Sequence, residues 1–351
     1  MPRVPLSRRA TGLPFGSRTT PYRGCSRRRT VRSPRQARTA TANPLRRHVP
    51  RRASNWEIGS VYIWTEARRP SGANPPSLIS RGRGRKSSLL DVAEEVEGLM
   101  ARRGLKPAFP TCISIDQVAA HYSPTHDDGL RFQRGNVVKL DLGAHLDGWV
   151  ADTAVTIEVG TRNWTPLVRA SELALQTAIE AVHAGVETRA LGEGIQRAIE
   201  SLGYRPIRNL TGHTIERYVL HAGKSVPNIP HGHDVLREGE VVAIEPFASS
   251  GAGQVDGRRT GNIYRVVRPK PSKASEPNEF LQLLSREFKT LPFAERWAHR
   301  LDPKAPAFLN ALVRTGAIMT YPALLDIEGG IVSQTEHTMI VGADGSEVTT
   351  A

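Results

Sequence analysis

Long apolar runs are missing from this sequence. No stretch of its 351 residues approaches the roughly 18–20 consecutive apolar residues that a membrane helix needs, and the start lacks the short apolar core of a secretory signal. Cysteine is scarce as well, because Cys25 and Cys112 are the only two and cannot form a disulfide framework. These absences argue against a membrane-spanning or disulfide-rich secreted protein, and we predict a reducing, cytoplasmic location.

Acidic residues are nearly absent from the first quarter of the chain. Residues 1–86 hold 21 of the 48 Lys and Arg but only two of the 34 acids, Glu57 and Glu66, which gives a net charge of +19. Residues 87–351 hold the other 27 basic and 32 acidic residues, a net charge of −5. The overall +14 is therefore no sign that the remainder binds nucleic acid.

Residues 1–86 are rich in Arg, Pro, Ser and Thr and show no helical or strand period. Such sequence buries too little apolar surface to offset its ordering entropy, so we predict a disordered tail. A solvated tail without a specific role, an arm that binds nucleic acid or the ribosome, and an organelle transit peptide all fit this composition. A misread reading frame fits as well, which would make the tail non-native.

An ordered pattern begins abruptly at Ser87. Ser88 and Asp91 form the S-x-x-D start of a capped helix, apolar residues recur behind it at helical spacing, and Gly104 ends it. Periodicity and turn signals predict further helices at about 165–184 and 189–202, and strands near 213–221, 239–248, 261–267 and 330–342.

Residues 268–320 have a different character. They begin with Pro- and Lys-rich sequence and continue with helical patterns in PNEFLQLLSREF and PAFLNALVRTG. We interpret this segment as a small helical insert. Long helices together with antiparallel hairpins indicate the α+β class.

Two aspartates are predicted to lie close together in the segment NVVKLDLGAHLDGWVADTAVTIEVG. Asp147-Gly148 favours a two-residue hairpin turn, which places Asp152 opposite Gly143 and makes Asp141 its diagonal neighbour, roughly 7–8 Å away at the backbone. Two such carboxylates among apolar residues repel each other unless a cation lies between them. An exposed strand position or a turn cap is the alternative interpretation of either aspartate.

Other candidate ligands lie in separate segments. Glu245 ends the apolar strand VVAIEPF, Glu336 lies in SQTEHTMIVG, His213 lies in TGHTIERY and His221 in YVLHAG. A buried carboxylate needs a partner, whereas a lone histidine is more often an ordinary core or surface group. Four carboxylates and one imidazole suit two divalent ions such as Mn, Fe, Co or Zn.

The order Asp, Asp, His, Glu, Glu resembles the metallopeptidases of the pita-bread fold, which include methionine aminopeptidases, aminopeptidase P, prolidase and creatinase. Within that family the chain is most similar to type 2 methionine aminopeptidases, above all archaeal ones. The similar segments are collinear and span residues 87–351: KPAFPTCISIDQVAAHYSP, KLDLGAHLDGWVADTAV, GHTIERYVLHAGKSVPN, VVAIEPFAS, KTLPFAERW, GAIMTYPALL and SQTEHTMIV. The preceding NPPSLISRGRGRK resembles nothing in the family.

The resemblance implies a fold and a set of domains. The fold is α+β, the pita-bread fold with an antiparallel sheet core and a small helical insert. Residues 87–267 and 321–351 would form the catalytic domain, and residues 268–320 the insert subdomain.

The resemblance also implies a metal centre. Asp141 would chelate the first metal, Asp152 and Glu336 would bridge both metals, and His213 and Glu245 would complete the shell of the second. The cofactors would be two divalent ions, Co, Mn, Fe or Zn.

Substrate contacts follow from the same resemblance. His121, in AAHYSP, would lie beside the substrate amine and the scissile bond, and His221 would contact the substrate carbonyl. Phe109, Leu220 and Tyr321 would build the methionine pocket. A straight strand would separate His213 from His221 by about 26 Å, so the chain must bend if both serve one site.

The implied reaction removes the first methionine from newly made polypeptides when the second residue is small. Two metals lower the pKa of a shared water, hydroxide attacks the first peptide carbonyl, and Glu245 shuttles the proton to the leaving amine. The partners would be nascent N-termini near the ribosome, and we expect a monomer. Two alternatives stay open: an X-Pro peptidase of the same fold, and a non-catalytic homologue that binds RNA or ribosomes.

Overall fold

The computed structural model describes residues 88–269 and 275–350, so the predicted tail at residues 1–86 lies outside the described residues. Among the described helices, none is long and apolar enough to cross a membrane. In chain order the elements are α1 (Leu89–Arg102), β1 (Lys106–Ile115), β2 (Val118–Ala120), β3 (Val137–Leu146), β4 (Trp149–Glu158), α2 (Thr165–Ala181), α3 (Thr188–Ser201), β5 (Arg205–Pro206), β6 (Thr211–Ile215), β7 (Ser225–Pro227), β8 (Val241–Ile244), β9 (Phe247–Ser249), β10 (Val255–Val266), α4 (Glu276–Phe288), β11 (Phe293–Ala294), α5 (Glu295–Leu301), α6 (Ala305–Arg314), β12 (Ile318–Asp326), β13 (Val332–Gln334), β14 (Glu336–Val341) and β15 (Ser346–Val348).

Helix α1 begins with the predicted capping box. The Ser88 hydroxyl accepts a hydrogen bond from the Asp91 N–H at 3.0 Å, and the Asp91 carboxylate accepts one from the Ser88 N–H at 3.1 Å. This exchange satisfies backbone donors that the first helical turn leaves free. The apolar face of α1 packs on β1 and β3 in a core that includes Leu89, Val92, Val96, Met100, Ile113, Val138 and Leu140.

The largest sheet is antiparallel. Its strands run in the order β1, β3, β4, β14, β8, β6 and β7, with β15 paired to β14. Helix α1 covers the β1–β3 end, and helices α2 and α3 cover the region of β8 and β14. The buried contacts of this second layer include Leu167, Leu175, Leu191, Ile195, Ile199, Val242, Ile244 and Met339. One face of the sheet is thus covered by helices.

The insert packs on a separate four-stranded sheet, whose order is β11, β10, β12 and β2. Two of its helices, α4 and α6, confirm the helical patterns predicted there. Helix α5 and strand β11 were not predicted, because both are very short. The insert has its own core, formed by Phe280, Leu281, Leu284, Phe293, Leu309 and Leu312. The domain boundaries proposed from the sequence stay predictions.

Two predicted strands are interrupted where the chain changes sheets. The segment 239–248 divides into β8 and β9 at Glu245-Pro246, since proline has no N–H to offer a ladder. The segment 330–342 divides into β13 and β14 at Thr335. Strands β9 and β13 belong to a three-stranded sheet with β5, whereas β8 and β14 belong to the large one.

The strand predicted over 213–221 was also too long. Strand β6 ends at Ile215, and Glu216 and Val219 then exchange backbone hydrogen bonds of 2.9 Å in both directions. This tight turn reverses the chain. It supplies the bend that a common site for His213 and His221 requires.

Candidate metal centre

Three acids lie on one face of three neighbouring strands. The register of β3 and β4 pairs Gly143 with Asp152 and Asp141 with Ala154, which confirms the predicted hairpin. Strand β14 pairs Glu336 with the same Ala154 from the other side. Asp141 and Glu336 therefore flank one residue of β4, and Asp152 lies two positions away on the same face.

Glu245 is the fourth acid. It joins the other three because the break between β8 and β9 lies beside the break between β13 and β14. The Thr335 N–H donates a hydrogen bond to the Pro246 carbonyl at 3.3 Å, and the adjacent register pairs His337 with Ile244. Continued by one residue, this register brings Glu245 opposite Glu336. We call the four carboxylates the acidic cluster: Asp141, Asp152, Glu245 and Glu336.

His213 faces the acidic cluster from β6. Its Nε2 atom lies 3.7 Å from Asp152 Oδ2 and 3.9 Å from Glu245 Oε1. Ligand-capable atoms of Asp152, His213 and Glu336 all lie within 4.8 Å of one another, and the three side chains are buried. All five predicted ligands line a single pocket.

The acidic cluster contains buried polar atoms with unmet bonding capacity. Within the described residues, Asp141 Oδ1, Asp152 Oδ1, Glu336 Oε1 and His213 Nδ1 have no hydrogen-bond partner. Native proteins rarely leave such atoms buried and unsatisfied. Carboxylate oxygens with imidazole nitrogen form a donor set that suits divalent ions, so the residues fit metal binding.

Burial and mutual repulsion change the ionisation of these groups. Burial raises the pKa of Asp141 to about 7. Burial first, and the neighbouring carboxylates second, raise the pKa values of Asp152, Glu245 and Glu336 well above the ordinary range. Burial lowers the pKa of His213 to about 3, which leaves its ring neutral and able to coordinate.

One residue of this region was missed by sequence reasoning. The amide Nε2 of Gln334 lies 3.2 Å from Glu245 Oε2, 3.4 Å from Asp141 Oδ2 and 3.5 Å from Glu336 Oε2, as a donor to all three. Its position two residues before Glu336 was the available signal, because alternate residues of extended chain share a face.

Threonine side chains fix the strands that carry the acids. Thr338 Oγ1 accepts from the Asp152 N–H and donates to the Asp152 carbonyl, both at 2.8 Å. Thr156 makes the same double contact with the Gln334 backbone, at 2.8 and 2.7 Å. These clamps tie β4 to β14 and to β13.

The two further histidines predicted from the sequence lie at the same pocket. His221 returns beside His213 after the 216–219 turn, with ring centroids 4.3 Å apart. His121 has a positive φ of 64°, uncommon for a residue with a side chain, and its ring meets that of Tyr321 edge-on at 5.6 Å. Burial, and then the charge of His221, lower the pKa of His121 to about 4.

Apolar side chains complete the pocket. The three predicted from the sequence, Phe109, Leu220 and Tyr321, all line it. Gly143 permits the position of Phe109, because a Cβ atom there would lie 2.2 Å from Phe109 Cε1. Sequence reasoning did not identify the other lining residues, Cys112, Ile263 and Pro292.

A buried ion pair connects the insert to the segment that carries His121. Arg296 of α5 pairs with Glu97 of α1 and donates to Ser123 Oγ at 2.7 Å and to the Pro124 carbonyl at 2.9 Å. Ser123 and Pro124 follow His121 by two and three residues. The insert thereby holds one wall of the pocket.

Comparison with known proteins identifies the family of this chain. A family model for metallopeptidase family M24 matches residues 76–268. The chain is 47% identical over 267 residues to a methionine aminopeptidase of Pyrococcus horikoshii, covering 75% of this chain and 90% of the relative. It is 45% identical over 264 residues to a methionine aminopeptidase of Archaeoglobus fulgidus, covering 75% and 89%.

Solved structures share the fold. A thermophilic Arx1 has a TM-score of 0.72 at 17% identity, over 84% of this chain and 89% of that one. A methionine aminopeptidase from Thermotoga maritima has a TM-score of 0.59 at 23% identity, over 87% and 98%. The chain therefore belongs to metallopeptidase family M24, within which it groups with the type 2 methionine aminopeptidases. The pita-bread fold and the assignment as a metal-dependent enzyme are confirmed.

Proposed function

We propose that this protein removes the N-terminal methionine from newly made polypeptides whose second residue is small. The acidic cluster carries this proposal: buried carboxylates with unpartnered oxygens share one pocket with two histidines and an apolar wall. The kinship with methionine aminopeptidases supports the choice of substrate.

The acidic cluster and His213 would hold two divalent ions. Asp141 would supply a ligand to the first ion, Asp152 and Glu336 would contribute to both, and His213 and Glu245 would complete the ligands of the second. Such ions, when bound, lower the pKa of a water and polarise a carbonyl. Gln334 and the threonine clamps keep the carboxylates in place.

Glu245 and the two pocket histidines handle the substrate. Glu245 accepts a proton during attack and passes it to the leaving amine. His221, which is exposed at the pocket mouth, donates a hydrogen bond to the substrate carbonyl. His121 lies deeper and contacts the substrate amine and the scissile bond.

The apolar wall selects the first side chain. Phe109, Leu220 and Tyr321 offer methionine a dry surface, where burial of an unbranched thioether is favourable. A branched or charged first residue fits such a wall less well.

A peptide panel tests the proposal. Protein stripped of metal and reloaded separately with Co, Mn, Fe or Zn is given Met-Ala, Met-Pro and Ala-Pro peptides. We expect release of methionine from Met-Ala peptides, and none without metal. Preference for Ala-Pro would indicate an X-Pro peptidase, and no turnover with any metal would indicate a binding protein.

Three finer expectations have their own tests. Sedimentation of the purified protein should give the mass of a monomer. Fractionation of the host cell should place the protein in the cytoplasm, and comparison of free and ribosome-bound fractions should reveal any proximity to ribosomes.

A further inference from the structure

Arg265 has no acidic partner within the described residues and lies at the edge of the candidate active site. It belongs to β10, where it pairs with Met319 of β12. Two residues earlier, Ile263 pairs with Tyr321, and both of these line the pocket. Alternate residues of a strand share a face, so Arg265 continues the pocket wall outward from Ile263.

The guanidinium group is poorly satisfied. Its Nη2 atom contacts Met319 Sδ at 3.3 Å, and its Nε atom is buried without a hydrogen-bond partner. Within residues 88–269 and 275–350, no carboxylate lies at ion-pair distance from it. Arginine stays charged at any physiological pH and presents a planar set of donors that matches a carboxylate.

The charge of Arg265 acts on two side chains of the pocket, His221 and Tyr321. Burial lowers the pKa of His221, and the positive charge of Arg265 lowers it further. Burial raises the pKa of Tyr321, and the charge of Arg265 partly offsets that rise. His221 lies at the pocket mouth, where the substrate chain must leave the site.

We propose that Arg265 binds a substrate carboxylate located two or three residues beyond the scissile bond, and so gives the enzyme a preference for acidic sequence there. This inference rests on the proposed function. With the first side chain in the apolar pocket, an extended substrate advances about 3.3 Å per residue, which brings its third and fourth residues past His221 toward the outer end of β10. A small second residue leaves the third and fourth to offer the acid.

Amidated peptides isolate the contribution of the side chain. Met-Ala-Xaa-Ala-NH2 with Xaa as Glu, Gln or Lys is assayed with metal-loaded wild-type protein at low salt. We expect kcat/KM to be roughly three- to fivefold higher for Glu than for Lys, with Gln between them, because a partly exposed ion pair has about that effect. The ratio should shrink as salt is added.

A second pair of peptides tests whether Arg265 binds the C-terminal carboxylate of a short substrate. Met-Ala-Gln with a free C-terminus is compared with its amide. A preference for the free acid also supports carboxylate binding by Arg265, provided that Arg265 variants lose it.

Three variants test the residue itself. Arg265→Met should remove the discrimination between Glu and Lys, and Arg265→Glu should reverse it. Arg197→Met, on the outer face of α3 where Arg197 pairs with Glu193, makes the same charge change far from the pocket and should keep the wild-type ratio.

The outcomes separate this inference from the proposed function. Equal cleavage of the Glu, Gln and Lys peptides by the wild type would overturn the role of Arg265 and leave the function standing. So would a Glu preference that persists in Arg265→Met. Failure to cleave any of the peptides would overturn the function, and this inference with it.

Discussion

Two groups of buried acids in this molecule differ in what surrounds them. Glu97 of α1 receives hydrogen bonds from the Thr111 N–H at 3.2 Å and from Trp297 Nε1 at 2.8 Å, and it pairs with Arg296. In the acidic cluster Asp152 and Glu336 are buried and Asp141 and Glu245 are mostly so, yet the cluster keeps oxygens without partners, and its members face one another. Both groups lie on the same framework of strands and helices.

The difference separates a structural acid from a functional one. A buried charge is tolerated when a counter-charge and several donors surround it. Carboxylates that repel one another and retain free oxygens destabilise the fold unless another ligand is added. The partners of a buried carboxylate are therefore more informative than its burial.

The largest expected effect is on turnover in Asp152→Asn. The change keeps the shape of the side chain but removes an anionic oxygen, so activity should fall below detection and most bound metal should be lost. The metal-free variant should be at least as stable as metal-free wild type, since an amide is neutral in the cluster without taking up a proton. Peptidase assays, metal content and thermal unfolding in EDTA measure these effects. Lower stability in EDTA would mean that Asp152 is held like Glu97.

His121→Ala should separate chemistry from metal binding. His121 contacts no member of the metal set in the proposed roles, so both ions should stay bound while kcat falls roughly 10²–10⁴-fold, the usual contribution of a positioned acid or base. Steady-state kinetics with metal analysis provide the measurement. Loss of metal on the scale seen in Asp152→Asn would show that this role is wrong.

Glu97→Gln tests the buried acid whose oxygens all have partners. The substitution leaves the buried Arg296 charge without its partner, which should lower the free energy of unfolding by about 3–5 kcal/mol. Denaturant titration measures the loss, and metal content should stay that of the wild type.

Glu94→Gln is the matched control. Glu94 lies on the same helix and pairs with Arg300 of the same insert helix, but both side chains are about half exposed. The change should therefore affect the free energy of unfolding by less than about 1 kcal/mol. Similar losses in the two variants would contradict the importance of burial.

The smallest expected effect is the release of protons when metal binds. Raised carboxyl pKa values mean that the metal-free cluster holds protons near neutral pH, and these must leave when ions bind. At about pH 6.5 we expect at least about one proton per chain, declining as the pH rises through the Asp141 pKa of about 7. Apparent metal affinity should rise over the same interval. His213, already neutral, contributes none.

Calorimetry in buffers with different ionisation heats counts these protons. Release that does not vary between about pH 6.5 and about pH 8.5 would contradict the raised pKa of Asp141.

Local signals predicted much of this molecule. The Asp147-Gly148 hairpin and its register, the Ser88 capping box and helices α2 and α3 follow from turn chemistry and periodicity. The resemblance to a known family located the residues that line the pocket, which spacing alone could not bring together. Their assigned roles stay predictions.

Features that depend on distant contacts were not predictable. Arg296 meets Glu97 across 199 residues, and nothing near either residue indicates the other. The donor role of Gln334 and the threonine clamps depends on where strands cross between sheets. Pro246 marks one crossing in the sequence, but the other, at Thr335, has no comparable signal.

Metal stoichiometry tests the central claim most directly. Metal-free wild-type protein is titrated with Co or Mn, and bound ions are counted after removal of excess metal, beside Asp152→Asn and Glu97→Gln. We expect two ions per chain for the wild type and for Glu97→Gln, and fewer than one for Asp152→Asn. Wild-type protein that binds no ion, or Asp152→Asn that binds two, would contradict a metal centre built on the acidic cluster.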